Sequence, residues 1–312
     1  MGEKLFLSVS PHLTGRRTVR NIMLDVIIAL IPAVIASVII FGLRSLAVYA
    51  ATVISAVLFE YLFDLAVKRD NSIGDLSAVI TGLLLAMNLP ASVPLWQAVV
   101  GSFFAIVIVK CLFGGLGKNF ANPAIVGRIV MLLAFAGSMS DMPAYIGSVD
   151  AVSTATPLAA IAAGDLTSYP PIRLLLGTHS GALGETCAAA LLVGGIYLLA
   201  RRVISWHTPV CMIATVYVGS LIVTGSPYAA LLCILSGGLF LGAIFMATDY
   251  VTTPTTKWGQ VIFGIGCGLL TILIRFWGSY PEGVSFSILL MNILTPFIDK
   301  WTRKKPFGGV DA

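Results

Sequence analysis

Long apolar runs, separated by short polar or basic connections, set the pattern of this chain. An apolar stretch over residues 24–41 follows a polar opening that carries Arg16, Arg17 and Arg20. No small-residue cleavage site closes it, so it reads as a retained first span and not as a signal peptide. Further runs at 45–67, 76–89, 95–113, 123–136, 183–200, 210–223, 229–247, 258–277 and 284–298 bring the expectation to about ten membrane-spanning helices. The three shortest, 76–89, 123–136 and 210–223, fall well below the roughly 20 residues that cross about 30 Å of hydrocarbon. Such Pro- or Gly-bounded pieces predict broken helices shielded by their neighbours.

Composition agrees with the pattern. Of 312 residues, 58% are apolar and 11% charged, and the mean hydropathy is +0.97, too little charge to clothe a water-soluble domain of this size. The fold class is therefore all-α, a polytopic membrane protein. A net charge of +5 does not indicate nucleic-acid binding, because the basic residues form short clusters between apolar runs and not one patch. They track topology instead. With a cytoplasmic amino terminus, Lys68/Arg69, Lys118, Arg201/Arg202, Lys257 and Lys300/Arg303/Lys304/Lys305 fall inside, while the 90–94 and 224–227 connections carry no charge. Arg44, Arg173 and Arg275 fall outside as exceptions, and both termini are expected in the cytoplasm.

Scattered cysteines (Cys111, Cys187, Cys211, Cys233, Cys267) and isolated histidines (His12, His179, His207) show no metal-ligand spacing, so redox chemistry here needs a borrowed cofactor. An offset of 163 aligns Gln97 with Gln260, Gly101 with Gly264, Phe113 with Phe276, Gly115 with Gly278 and Ile125 with Ile288. An odd number of spans per copy inverts the second copy, so a five-plus-five inverted repeat is expected. The division is then a cytoplasmic segment 1–21, a first repeat 22–137, an outer loop 138–181, a second repeat 182–300 and a cytoplasmic tail 301–312.

Several polar residues stand out against this background. Arg128 lies a turn inside an apolar segment, which is costly unless it is paired or faces a polar cavity. Asn119 and Asn122 precede Pro123, where capping and ligand contact are equally good readings. Asp249 and Thr252 follow the eighth span, where simple solvation competes with a functional role. Glu60 and Asp64 share a helix face and could line a cation route, and Lys110 is expected to snorkel to the interface. Trp206, Trp258 and Trp301 read as interface anchors. Met87, Met131, Met246 and Met291 read as packing.

In the outer loop, Asp150-Ala-Val-Ser153-Thr-Ala155-Thr156 resembles the D-x-x-S-x-A-T acceptor signature used by flavin transferases. By itself, Thr156-Pro157 followed by Leu-Ala-Ala-Ile-Ala-Ala-Gly164 is also an ordinary helix start, with Thr156 as N-cap. The two readings are compatible, since a helix start suits a phosphate.

The whole chain resembles the D-type subunit of the Rnf electron-transport complex and its relative, the B-type subunit of the Na+-translocating NADH:quinone reductase. The resemblance is carried by Ser10-Pro11-His12, Gly114-Gly-Leu-Gly-Lys-Asn119-Phe-Ala-Asn122-Pro123-Ala with Gly127-Arg128, the acceptor motif, Met246-Ala-Thr-Asp249-Tyr-Val-Thr252 and Tyr280-Pro-Glu282-Gly283-Val. The chain lacks the longer amino terminus of the quinone-reductase relative. Thr154 also stands where the family often has Gly.

The resemblance implies FMN esterified through its phosphate to Thr156, with Asp150, Ser153 and Ala155 read by an FMN transferase. It also allows a second, noncovalent flavin such as riboflavin, and places Asn119, Asn122, Arg128, Asp249 and Thr252 near flavin or an ion pathway. The function implied is that of a flavoprotein subunit in the plasma membrane of a bacterium or archaeon, in an ion-translocating ferredoxin:NAD+ oxidoreductase coupled to Na+ or H+. Its partners would be the other subunits and the lipid bilayer, and it would not act alone. A channel or secondary transporter without a redox role is the alternative from another class, because broken helices in an inverted repeat describe transporters too.

Overall fold

The computed structural model describes residues 18–69, 72–143, 157–162, 169–185, 187–278 and 282–303. Every regular element among them is helical. Thr18 caps the first helix, α1 (Val19–Phe41), by accepting from the Asn21 backbone N–H. There follow α2 (Leu43–Val67), a 3-10 turn (Ile73–Asp75), α3 (Ser77–Met87), α4 (Leu95–Phe103), α5 (Pro123–Ala134) and α6 (Ala136–Ser140). The second half holds α7 (Pro157–Ala162), α8 (Pro171–Leu176), α9 (Ala188–Ala200), α10 (His207–Thr224), α11 (Pro227–Leu235), α12 (Leu239–Leu241), α13 (Lys257–Trp277) and α14 (Val284–Thr302).

Each of the ten predicted apolar runs coincides with a helix or helix pair. By length and composition α1, α2, α10 and α13 can cross a membrane, and α11 with the α12 segment makes a fifth candidate bent by 65° at its break. The expected short helices are found at α3 and α5, each backed by neighbours. The third expectation is corrected: α10 is an unbroken helix of 18 residues, because it recruits His207, Thr208 and Pro209 ahead of the apolar run. The break falls instead within the eighth run, where Ser236-Gly237-Gly238 separates α11 from α12 and Gly237 adopts a φ of +69°.

Two helices widen into π-helical turns. The first continues α4 over Phe104–Cys111, with Leu112 N–H donating to Val107 O, and the second continues α12 over Gly242–Met246, with Ala247 N–H donating to Gly242 O. Such turns are rare and tend to accompany functional sites.

Without a hydrophobic drive between helices in lipid, close approach at small residues supplies the packing. A Cβ on Gly194 would run into Ala29 O, so α9 sits directly on α1. Gly264 meets Thr208 O at 2.7 Å by the same measure, joining α13 to α10. At one end of the bundle, the near end, α1, α3, α5, α10 and α13 start and α2, α4, α9, the α12 segment and α14 finish. Trp206, Trp258 and Trp301 all stand exposed there. Met87, Met131, Met246 and Met291 are buried.

Candidate functional site

The near end holds a cavity between α1, α3, α9 and the two π-helical segments. Its walls are mainly apolar, with Val26, Ile80, Leu84, Leu198 and Phe245 among them. Polar groups enter at a few points: Ser77, Lys110, Asn119, Asn122, Thr248 and Asp249. An apolar slot with a few polar groups at its edge is the general form of a small-molecule site.

Four residues singled out in the sequence converge here. Asn122 caps α5, accepting from Ala124 N–H at 3.0 Å, while its Nδ2 donates to Met246 O at 3.3 Å. It thereby pins the end of the second π-helical segment to the start of α5. Asn119 donates through Nδ2 to Ala121 O at 3.0 Å and also hydrogen-bonds Asp249. Thr252 Oγ1 donates to Asp249 Oδ2 at 3.2 Å. With its amide turned to suit its neighbours, Asn292 of α14 donates to Thr252 O at 3.3 Å and accepts from Asn122 N–H at 3.1 Å. Thr295 Oγ1 donates to Thr252 O as well, at 2.8 Å. Asp249 thus sits in a wall braced from α5 and α14. Desolvation in that wall pushes its carboxyl above the usual range, against hydrogen bonds from Thr252, the Val251 backbone and Asn119.

A second, more polar cavity of about 430 Å³ adjoins the first, lined by Arg202, Ser205, Thr208, Thr253 and Gln260 among others. Both cavities include Thr248, Asp249 and Tyr250.

Lys110 does not snorkel, which corrects the expectation from sequence. It is 2% exposed on the first π-helical segment and donates to Glu60 Oε1 and Oε2 at 2.8 and 2.7 Å and to Ser77 Oγ at 2.5 Å. Glu60 and Asp64 are both buried and bridged by Ser72 Oγ, at 2.6 and 2.8 Å.

Arg128 lies away from this cavity. Its guanidinium faces the far end, in contact with Glu282, donating to Ser285 Oγ of α14 and 3.5 Å from Glu185. Sequence reasoning missed Glu185, although a carboxylate inside a predicted span demands a partner and so carries its own signal. Arg275 is half-buried nearby and donates to Cys233 O at 2.7 Å and Ser236 O at 3.3 Å, the open carbonyls where α11 ends. Asp150, Ser153, Ala155 and Thr156 lie outside the described residues, as do Ser10, Pro11, His12, Tyr280 and Pro281. Helix α7 (Pro157–Ala162) directly follows the acceptor motif in sequence.

The sequence pattern of the NQR2, RnfD, RnfE family matches residues 6–308, almost the full chain. The chain belongs to this family. Among its relatives, the D-type subunit of the Na(+)-translocating ferredoxin:NAD(+) oxidoreductase complex of Acetobacterium woodii is 46% identical over 307 residues, covering 97% of this chain and 95% of the relative. The D-type subunit of the proton-translocating ferredoxin:NAD(+) oxidoreductase complex of Clostridium ljungdahlii is 42% identical over 322 residues, covering 97% and 96%. Its counterpart in the ion-translocating oxidoreductase complex of Ectopseudomonas mendocina is 36% identical over 327 residues, covering 96% and 94%. Within this NQR2, RnfD, RnfE member, the Asn119/Asn122 and Asp249/Thr252 motifs are far apart in sequence and adjacent in space.

Proposed function

We propose that this chain is the D-type subunit of an Rnf-type, ion-translocating ferredoxin:NAD+ oxidoreductase complex, and that it relays electrons through flavin. The observation that carries this reading is the end-to-end similarity, at 46% and 42% identity, to two relatives named as that component of such complexes. In this reading the near end faces the cytoplasm, the acceptor loop lies outside, and an FMN transferase esterifies Thr156. One FMN is covalent, and the family resemblance allows a second, noncovalent flavin.

Among the groups lining the near-end cavity, Asn119, Asn122 and Thr248 donate to Ala121 O, Met246 O and Ile244 O, so they brace the wall. Flavin supplies the electron chemistry, while the chain supplies position and electrostatics. Asn122 and Asn292 hold the wall in register, and the apolar lining excludes water. Lys110, fixed by Glu60 and Ser77, places a compensated charge at the margin of the cavity.

In-gel fluorescence of the denatured subunit tests the covalent part. Flavin fluorescence is expected in the wild type and in Thr154→Ala, and is expected to vanish in Thr156→Ala. A channel or transporter without redox role would show none in any of the three.

A further inference from the structure

We propose that a pocket at the near end, where α13 begins and α14 finishes, binds the headgroup of an anionic glycerophospholipid. The pocket measures about 440 Å³ and is lined by Thr255, Thr256, Pro296, Asp299, Lys300 and Arg303. Thr256 Oγ1 donates to Thr302 Oγ1 at 2.6 Å, and Thr302 Oγ1 donates in turn to Ile298 O at 2.9 Å. The start of α13 is thereby tied to the last turn of α14, and the two sides of the pocket are held together. Nothing in this inference depends on where flavin binds.

Charge in the pocket is out of balance. Lys300 and Arg303 are exposed, and among the described residues neither forms an ion pair. The same holds for Lys257, which opens α13 beside Thr256. Asp299 supplies the lining's one carboxylate, and its Oδ1 is turned to Thr255, accepting from the N–H at 2.9 Å and from Oγ1 at 3.1 Å. Arg201, another exposed cation of the near end, is by contrast held by both oxygens of Asp25. Two adjacent cations without such a partner suit a phosphodiester, whose oxygens accept from an ammonium and a guanidinium together.

The surface beside the pocket favours a lipid over a free anion. Ile293, Phe297 and Lys300 recur at helical spacing and so share a face of α14. Ile293 and Phe297 are exposed, so an apolar strip leads away from the pocket toward the middle of the helix. Trp301 follows Lys300, Trp258 stands in the first turn of α13, and both indoles are about three-quarters exposed, at 77% and 74%. Exposed indoles at a helix end mark the depth of lipid headgroups. A phosphate seated between Lys300 and Arg303 therefore lies where its acyl chains can run along Phe297 and Ile293. Basic pockets between membrane helices are a recurring form of headgroup site.

The test reconstitutes the purified complex in phosphatidylcholine bilayers containing phosphatidylglycerol with a diazirine at the top of one acyl chain. After illumination, adducts are mapped by mass spectrometry of chymotryptic peptides. Labelling is expected between Ile293 and Trp301, well above that given by phosphatidylcholine bearing the same diazirine at the same mole fraction. Inorganic phosphate, at matched ionic strength, is expected not to displace it. Lys300→Gln with Arg303→Gln is expected to lower the labelling about 30-fold, or about fivefold per cation, and to leave labelling near Lys68 and Arg69 unchanged. Lys300→Arg with Arg303→Lys keeps both charges and is expected to keep the signal. Equal labelling by the two lipids, displacement by inorganic phosphate, an unchanged signal in the double Gln variant or a parallel loss near Lys68 and Arg69 overturns the proposal. So does wild-type complex without labelling here, which would show that another subunit covers the pocket. If the double Gln variant does not assemble, the comparison of the two lipids on the wild type decides.

Discussion

A residue's neighbours in sequence give its chemistry but not its partner, and Lys110 shows the difference. Fifty positions separate it from Glu60, and the widened π-helical turn that carries it aims the ammonium inward and not toward the interface. From the sequence, the length of the side chain and its place near a helix end argue for snorkelling. Asn119, Asn122, Asp249 and Thr252 are legible because each pair sits in a polar motif at the edge of an apolar run. Their mutual contact is not, since it depends on how α14 and the bent helix meet α5. Removing one member of a buried pair strands the other, so Lys110→Met is expected to cost about 3–5 kcal/mol. Replacing Glu60 by Gln in the same protein is expected to recover most of the loss. Thermal melting of the detergent-solubilised complex checks this, and a single variant as stable as the wild type would refute the buried pair.

At the scale of elements, average hydropathy locates the helices but passes over the break in the eighth. The run 229–247 contains Ser236-Gly237-Gly238, and there the backbone turns by 65° between α11 and the α12 segment. Arg275, an exception to the charge rule in the sequence, has a structural reason for its place: it donates to the carbonyls that the break exposes. A charge committed to a helix C-terminus is favoured there by the dipole as well. Gly237 has little latitude, because a Cβ would lie 2.6 Å from Leu158 Cδ1 of α7 and the φ is positive. Gly237→Ala is expected to cost about 1–3 kcal/mol and to lower the melting temperature. Gly117, also at positive φ but with nothing within 4 Å of its Cβ position, gives the comparison for strain without the clash. Equal losses at the two sites would show that α7 is not seated against the break.

For the whole molecule, helix count and all-α class are readable from the apolar pattern, since lipid forces every backbone group to be satisfied within a helix. The ranges also echo the offset of 163: α1 to α5, so shifted, fall on α9, α10, the α12 segment, α13 and α14. We propose on this basis that the two halves are copies inserted in opposite senses, with the near end in the cytoplasm. Cysteine labelling from outside intact cells tests the orientation: Asp141→Cys is expected to react and Arg202→Cys to stay protected, and the reverse would invert the topology. The central claim, that this chain carries flavin on its outer loop, is tested most directly by mass spectrometry of the peptide spanning Asp150 to Arg173 from complex matured with the FMN transferase. The expected result is a peptide heavier by one FMN less water, with the adduct on Thr156. An unmodified peptide from that material would contradict it.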